Sequence, residues 1–117
     1  MKYALFIYGN EDAFKTASDA DGYKMTEAYG AYVGAMQKAG IILGGERLRP
    51  SSAASTVRNT NGNAKVLDGP YAETKEQLAG YFIIDVPDLD AALSWAARCP
   101  GATHGVMEVR PIWPMQG

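Results

Sequence analysis

The sequence predicts an α+β fold in which two β-α-β units are joined by a β-hairpin. Three observations carry this prediction. Four short segments have the apolar pattern of strands, and two longer ones repeat apolar residues at helical spacing. Between the two halves lies Asn61-Gly62, the strongest short hairpin signal. The element order that results is that of the ferredoxin-like plait with an inserted β-hairpin.

Two of the predicted strands are apolar on both faces. They run from Lys2 to Tyr8 and from Ala79 to Val86. Such strands need cover on both sides. In the plait the first and third main strands lie in the middle of the sheet, so the apolar pattern and the topology agree.

Two amphipathic segments predict the helices. The first extends from about Gly22 to Ala39 and ends at Gly40, after a polar, turn-rich stretch from Gly9 to Asp21. The second begins after the N-cap residue Asp88 and ends near Cys99.

The remaining segments complete the order. A second strand is predicted from Ile41 to Leu48, an exposed hairpin from Ser55 to Asn59 and from Ala64 to Leu67, and a single helical turn within residues 72–77. The last strand starts at Gly105 and has one polar face, and the preceding residues form a loop.

Two helices cover only one face of a four-stranded sheet. Apolar side chains on the other face of the central strands would then be exposed in a monomer. The sequence therefore predicts a homodimer in which one sheet packs on the other across a two-fold axis, with any pocket between sheet, helices and hairpin.

Composition limits the function. The chain has 117 residues, 47% of them hydrophobic, with 11 basic and 13 acidic residues and a formal charge of −2. This predicts one domain spanning residues 1–117, without the basic stripe that nucleic-acid binding requires. One cysteine and one histidine cannot supply a zinc cluster, and no segment approaches the ~20 apolar residues of a membrane span. A cytoplasmic protein is expected, and the sequence identifies no cofactor.

The segment Asp68-Gly69-Pro70-Tyr71-Ala72-Glu73-Thr74-Lys75-Glu76-Gln77-Leu78-Ala79-Gly80-Tyr81 resembles the DGPF-domain proteins of the YCII-related superfamily. The resemblance covers nearly the whole chain and extends to the segments at residues 44–50, 85–92, 98–102 and 108–113. It implies a bacterial domain that forms a dimeric α/β barrel of ferredoxin-like fold. Some members are associated with extracytoplasmic-function sigma factors, so the resemblance also implies a regulatory partner of that kind.

The chain departs from that family at one important pair of positions. In typical YCII proteins, a His on the first helix and an Asp before a Pro after the second helix are the suggested acid/base pair. Tyr29 and Cys99 stand at those positions here. Ordinary phenols titrate near ~10 and thiols near ~8.5, so neither replaces a His–Asp pair directly.

Asp68 is the strongest candidate for chemistry. An Asx-turn would have its carboxylate accept the N–H two residues on, but Pro70 has none. The carboxylate therefore either caps the turn at residues 71–74 or points into a pocket as an acid/base group. The only histidine, His104, is the second catalytic candidate because imidazole suits proton transfer near neutral pH.

The candidate ligand-binding residues share polar tips near the turn, the glycine pair or the first helix. They are Tyr71, Lys75, Glu46, Arg47 and Tyr29, and the glycine pair is Gly44-Gly45. The alternative for the charged ones is a solvated face with weak ion pairs. Likewise, Glu108 and Arg110 share one face of the last strand, where they pair with each other or orient a ligand. No metal ligands are assigned.

Two functions remain open at this point. The first is a homodimeric small-molecule-binding domain with acid/base catalysis by Asp68 and His104. The second is a non-enzymatic regulatory or interaction module, associated with a sigma factor, that uses the hairpin edge.

Overall fold

The computed structural model describes residues 1–115. Its elements, in chain order, are β1 Lys2–Gly9, α1 Glu11–Lys15, α2 Asp19–Lys38, β2 Ile42–Arg47, a 3-10 turn Ser51–Ala53, β3 Ser55–Thr60, β4 Asn63–Asp68, β5 Gln77–Asp85, α3 Leu89–Arg98, α4 Gly101–His104 and β6 Val106–Pro111. None of these helices is long and apolar enough to cross a membrane.

Four strands form the main sheet in the order β2-β5-β1-β6, and every neighbouring pair is antiparallel. This is the strand order of the ferredoxin-like plait, so the predicted α+β class is confirmed. The two strands that are apolar on both faces, β1 and β5, lie in the centre. Leu5, at the middle of β1, is paired with Phe82 on one side and Val109 on the other.

The core lies between one sheet face and the helices α2 and α3. Tyr3, Leu5 and Ile84 supply the sheet side, and Tyr32 and Met36 are the buried residues of α2. Full burial of a side chain such as Leu5 contributes about 1.5–3 kcal/mol. The core is therefore built on one face only.

The opposite face of the sheet carries aromatic and aliphatic side chains that no helix covers. Phe6 of β1 is paired with Tyr81 of β5. Tyr8, two residues after Phe6, and Ile83, two residues after Tyr81, lie on the same face of the sheet. All four are half-buried, whereas the residues between them in sequence are buried against the helices.

Two short helices, α1 and α4, lie where the sequence predicts turns and loops. The first of the two long helices, α2, also begins earlier than predicted. α1 occupies part of the stretch from Gly9 to Asp21, where the Asn10 side chain caps it by accepting the Asp12 N–H at 2.9 Å. α2 begins at Asp19, three residues earlier than predicted, because the Ser18 hydroxyl accepts the Asp21 N–H at 3.2 Å.

Two further predictions were wrong in detail. His104 is the last residue of the one-turn helix α4, not a loop residue. Residues 72–76 form no helical turn, and β5 begins already at Gln77, whose side-chain amide donates to the Thr74 carbonyl at 2.6 Å.

The strands β3 and β4 pair only with each other. Asn61 and Gly62 have φ values of +52° and +83°, the left-handed geometry of the two-residue type I′ turn. At the other end, the Thr56 hydroxyl donates to the Gly69 carbonyl at 2.8 Å. The hairpin extends from the domain, and the radius of gyration of 16.2 Å exceeds the roughly 13 Å of a compact 100-residue domain.

Candidate functional site

A cavity of about 730 Å³ lies among α1, α2 and α4, at the end of the sheet where β1 ends and β6 begins. Its wall is mostly apolar, with three ionisable side chains, Asp21, Lys24 and His104. The complete lining is Asn10, Ala13, Phe14, Ala17, Asp21, Gly22, Lys24, Met25, Ala28, Pro100, Thr103 and His104. Its volume lies within the range of small-molecule pockets, and it is an open cleft, since most of its lining residues, His104 included, are exposed.

His104 reaches this cavity because α4 is held tightly against β1. The next residue, Gly105, donates its N–H to the Gly101 carbonyl at 2.8 Å. A Cβ added at Gly105 would overlap the carbonyl oxygen of Tyr8 and lie 3.1 Å from its carbon. The backbone at this junction is therefore too close for any side chain, and it fixes where His104 lies.

Tyr29 and Cys99 meet beside the cavity. The Cys99 thiol donates to the Tyr29 hydroxyl oxygen, with 3.8 Å between Sγ and Oη, and Cys99 is only 1% exposed. Their chain neighbours Ala28 and Pro100 line the cavity. A Cβ on Gly101 would lie 2.6 Å from the Tyr29 hydroxyl, so only glycine leaves room for this contact. The two positions that the resemblance pairs are therefore adjacent in the fold.

Both groups of this pair are held neutral. Burial is the main cause that raises the pKa of the Tyr29 phenol, and the neighbouring Cys99 adds to it, while the Gly101 backbone and the Arg47 charge lower it by less. Burial likewise raises the pKa of the Cys99 thiol, against smaller opposing hydrogen bonds. At neutral pH the pair offers neither a thiolate nucleophile nor a phenolate base.

This neutrality predicts how stability changes at alkaline pH. The unfolded thiol ionises near pH ~8.5 while the buried thiol keeps its proton, so the free energy of unfolding falls as the pH rises above that value. We expect Cys99→Ala to remove up to about 1.4 kcal/mol of this loss per pH unit between pH 8.5 and 10. Urea unfolding of wild type, Cys99→Ala and the exposed control Ser94→Ala at several pH values measures it. Parallel profiles for wild type and Cys99→Ala would contradict it.

The other predicted site residues lie elsewhere. Asp68 ends β4, and Tyr71 and Lys75 follow it in the loop; all three are exposed. The Arg58 guanidinium carbon lies 5.7 Å from the centre of the Tyr71 ring. Asp68 lines neither this cavity nor the second one described below, so a single chain does not bring it to the wall that holds His104.

The remaining two candidates lie on β2. Glu46 is paired with Tyr81 and is exposed. Arg47 follows it, and its positive charge lowers the pKa of the Tyr29 phenol slightly against the effect of burial. The sequence-predicted residues thus divide among the cavity wall, the hairpin base and the edge strand.

A second cavity, of about 330 Å³, lies beside the loop between β4 and β5, and Glu73 and Thr74 of that loop line it. Sequence reasoning missed the residue that organises it, Glu11. Its carboxylate accepts the Ser51 N–H at 2.6 Å and the Ser51 hydroxyl at 2.7 Å, and its own N–H donates to the Gln77 side chain at 3.0 Å. The only sequence signal was an acidic residue after Asn10, which is typical of a helix start and does not reveal the distant partners.

The predicted pair on the last strand is confirmed. The Arg110 Nη2 atom lies 2.6 Å from the Glu108 Oε2 atom, and the guanidinium lies 5.9 Å from the Phe6 ring centre. This pair belongs to the uncovered face of the sheet. Within residues 1–115, no group of three or more His, Cys, Asp or Glu side chains is arranged to hold a metal ion.

Comparison with known proteins identifies the family. The model of the YCII-related domain family matches residues 1–116. An uncharacterised protein, R00369, from Rhizobium meliloti (strain 1021) is 37% identical over 114 residues, which cover 96% of this chain and 92% of the relative. A family match over nearly the whole chain, on a fold with the plait topology, places the protein: it belongs to the YCII-related family.

Proposed function

We propose that this protein binds a compact small molecule in the cavity among α1, α2 and α4, and that His104 exchanges a proton with it. The observation that carries the proposal is the position of the chain's only imidazole on a largely apolar wall beside the half-buried Tyr29 and the buried Cys99. Imidazole is the side chain best suited to proton transfer near neutral pH.

The lining defines the ligand class. Alanines, Phe14, Met25 and Pro100 favour an apolar or aromatic body. Lys24 and His104 favour one acidic group on that body, with Asp21 limiting how many anionic groups are accepted. A small aromatic or short-chain carboxylic acid fits this description.

The acid/base step rests on His104 because the Tyr29–Cys99 pair is neutral. The pair orients the ligand by hydrogen bonding only. Asp68 is the second acid/base group in the proposal, and the ligand contacts proposed with it are Tyr71, Lys75, Glu46, Arg47 and Tyr29. Since Asp68 lies at the hairpin base, its participation requires that a hairpin approach the cavity.

The proposed working form is a homodimer. The half-buried Phe6, Tyr8, Tyr81 and Ile83 give the uncovered face of the sheet an apolar area beside the Glu108–Arg110 pair, and a second copy of that face would cover it across a two-fold axis.

A thermal-shift screen tests the binding proposal, because a ligand that binds only the folded state raises the melting temperature. The panel contains aromatic and short-chain carboxylic acids and divalent metal salts. We expect at least one acid to stabilise the wild type, Met25→Trp to abolish this shift by filling the cavity, and His104→Gln to weaken it. Ala31→Trp, on an exposed position of the same helix, is the matched control.

The screen also decides the role of Asp68. If Asp68→Ala removes the shift at unchanged stability, Asp68 belongs to the site; if it does not, the Asp68 assignment is wrong. A shift that survives Met25→Trp would overturn the cavity as the binding place.

The second candidate function is a regulatory module that binds an extracytoplasmic-function sigma factor. The observation in its favour is the exposed hairpin, where Val57 and Val66 are 63% and 64% accessible. Its test is titration of a purified sigma factor of that class against wild type and Val57→Lys/Val66→Lys: affinity lost in the variant supports it, and no binding by wild type rejects it.

A further inference from the structure

The hairpin β3–β4 is an arm whose strands, among residues 1–115, pair only with each other. All of its residues are exposed except the half-buried Thr56, and it belongs to a two-stranded sheet of its own. Isolated two-stranded hairpins are marginally stable in water. Its apolar side chains, including Leu67 at 64% accessible, therefore gain from cover by another molecule.

One face of the arm is basic. Arg58 is directly opposite Lys65, Leu67 lies on the same face, and the Tyr71 ring centre lies 5.7 Å from the Arg58 guanidinium carbon. Like charges directly opposite each other destabilise a strand pair. Neither cation has a carboxylate within 4 Å in the part of the chain that the structure describes. A surface with acidic and aromatic side chains would reduce the repulsion between these two cations.

The same chain presents such a surface on α1 and the first turns of α2. Four exposed carboxylates lie there, and none forms an ion pair among residues 1–115: Asp12, Asp19, Asp21 and Glu27. Two exposed lysines, Lys15 and Lys24, lie on the same segments, so carboxylates outnumber cations on this surface. Two aromatic side chains, Phe14 and Tyr23, are exposed among them. Phe14 and Asp21 also line the 730 Å³ cavity, so this acidic surface borders its opening.

We propose that the hairpin arm of one protomer lies across the acidic α1–α2 surface of a second copy, with Leu67 and Tyr71 covering the cavity there. The occupant is a second copy because both complementary surfaces belong to this chain, and a two-fold axis satisfies both at once. The inference rests on the proposed homodimer and deepens the proposed function. Each site is then composite, with His104 from one chain and Leu67 and Tyr71 from the other.

Charge reversal tests this contact. Sedimentation equilibrium at low salt gives the dimer dissociation constant of wild type, Arg58→Glu/Lys65→Glu, Asp19→Lys/Asp21→Lys and the combination of all four. We expect each double variant to dimerise about tenfold or more weakly, and the combined variant to recover to near the wild-type constant, because opposite charges again face each other. Lys38→Glu/Arg98→Glu is the control, since it changes the net charge as Arg58→Glu/Lys65→Glu does, but away from both surfaces.

The outcomes separate the two proposals. A wild type that stays monomeric at tens of micromolar overturns the homodimer and the arm contact together. A wild-type dimer whose constant is insensitive to the double variants, or shifts no more than the control, overturns the arm contact alone. Failure of the combined variant to recover, with all variants folded by circular dichroism, also overturns it.

Discussion

Gly105→Ala is expected to cost about 3 kcal/mol or more in the free energy of unfolding. A methyl group there would overlap the Tyr8 carbonyl oxygen and crowd the Gly9 Cα at 3.2 Å. Both neighbours are backbone atoms of the central strand β1, so relief requires α4 and β6 to separate from it. Rotation of a side chain cannot relieve the overlap.

Gly30→Ala is the matched control for this substitution. Gly30 lies exposed within α2, and a Cβ there meets nothing within 4 Å. Replacing an interior helix glycine by alanine stabilises by roughly 0.5–1 kcal/mol. Urea unfolding of both variants should therefore give shifts of opposite sign. A Gly105→Ala variant as stable as wild type would show that the α4–β6 junction is looser than the structure indicates.

The same substitution bears on the site. Because Gly105 fixes the end of α4, moving it displaces His104 from the cavity wall. Any ligand-induced stabilisation found for the wild type should be weaker in Gly105→Ala than in Gly30→Ala.

The central part of the fold could be predicted from the sequence because its signals are local. Apolar residues on both faces of β1 and β5 identify the middle strands, and Asn61-Gly62 predicts the hairpin, although its turn has two residues where the sequence predicts a connection of four. Asp88 caps α3 as predicted, accepting the Ala91 N–H at 2.9 Å. These features depend on neighbours within a few residues, which a sequence displays directly.

What the sequence did not reveal depends on partners far along the chain. Glu11 is held by Ser51 and Gln77, which are 40 and 66 residues away. The need for glycine at position 105 comes from Tyr8 at the other end of the chain. No local pattern records such contacts, and for the same reason the sequence predicts a loop at His104 and does not predict its place on a cavity wall.

The proximity of Tyr29 and Cys99 was implied only through the family resemblance, which aligned them with a His and an Asp. Nothing in the spacing of a tyrosine on α2 and a cysteine after α3 indicates contact. The structure shows the contact. Whether positions 29 and 99 still accommodate a charged His–Asp pair can therefore be measured as a change in the free energy of unfolding.

Cys99→Asp alone is expected to destabilise the protein by about 3 kcal/mol at pH 7.5, because it buries a carboxylate beside a neutral phenol. Burial raises the pKa of such a carboxyl above its unfolded value. The folded state then binds more protons than the unfolded state, so the variant regains stability as the pH falls from 7.5 toward 5. Cys99→Asn, similar in size but uncharged, should show no such pH dependence, which separates charge from shape.

Adding Tyr29→His to Cys99→Asp should recover at least about 1–2 kcal/mol relative to the sum of the single variants, because the imidazolium pairs with the buried carboxylate. A double-mutant cycle by urea unfolding at pH 6.5 measures this coupling. Additivity within about 0.5 kcal/mol would mean that the two positions do not share a site in solution. Recovery would mean that the backbone still holds the geometry of an acid/base pair. The Tyr29–Cys99 pair would then be a neutral replacement at that place, leaving His104 on the adjacent wall as the group that moves the proton.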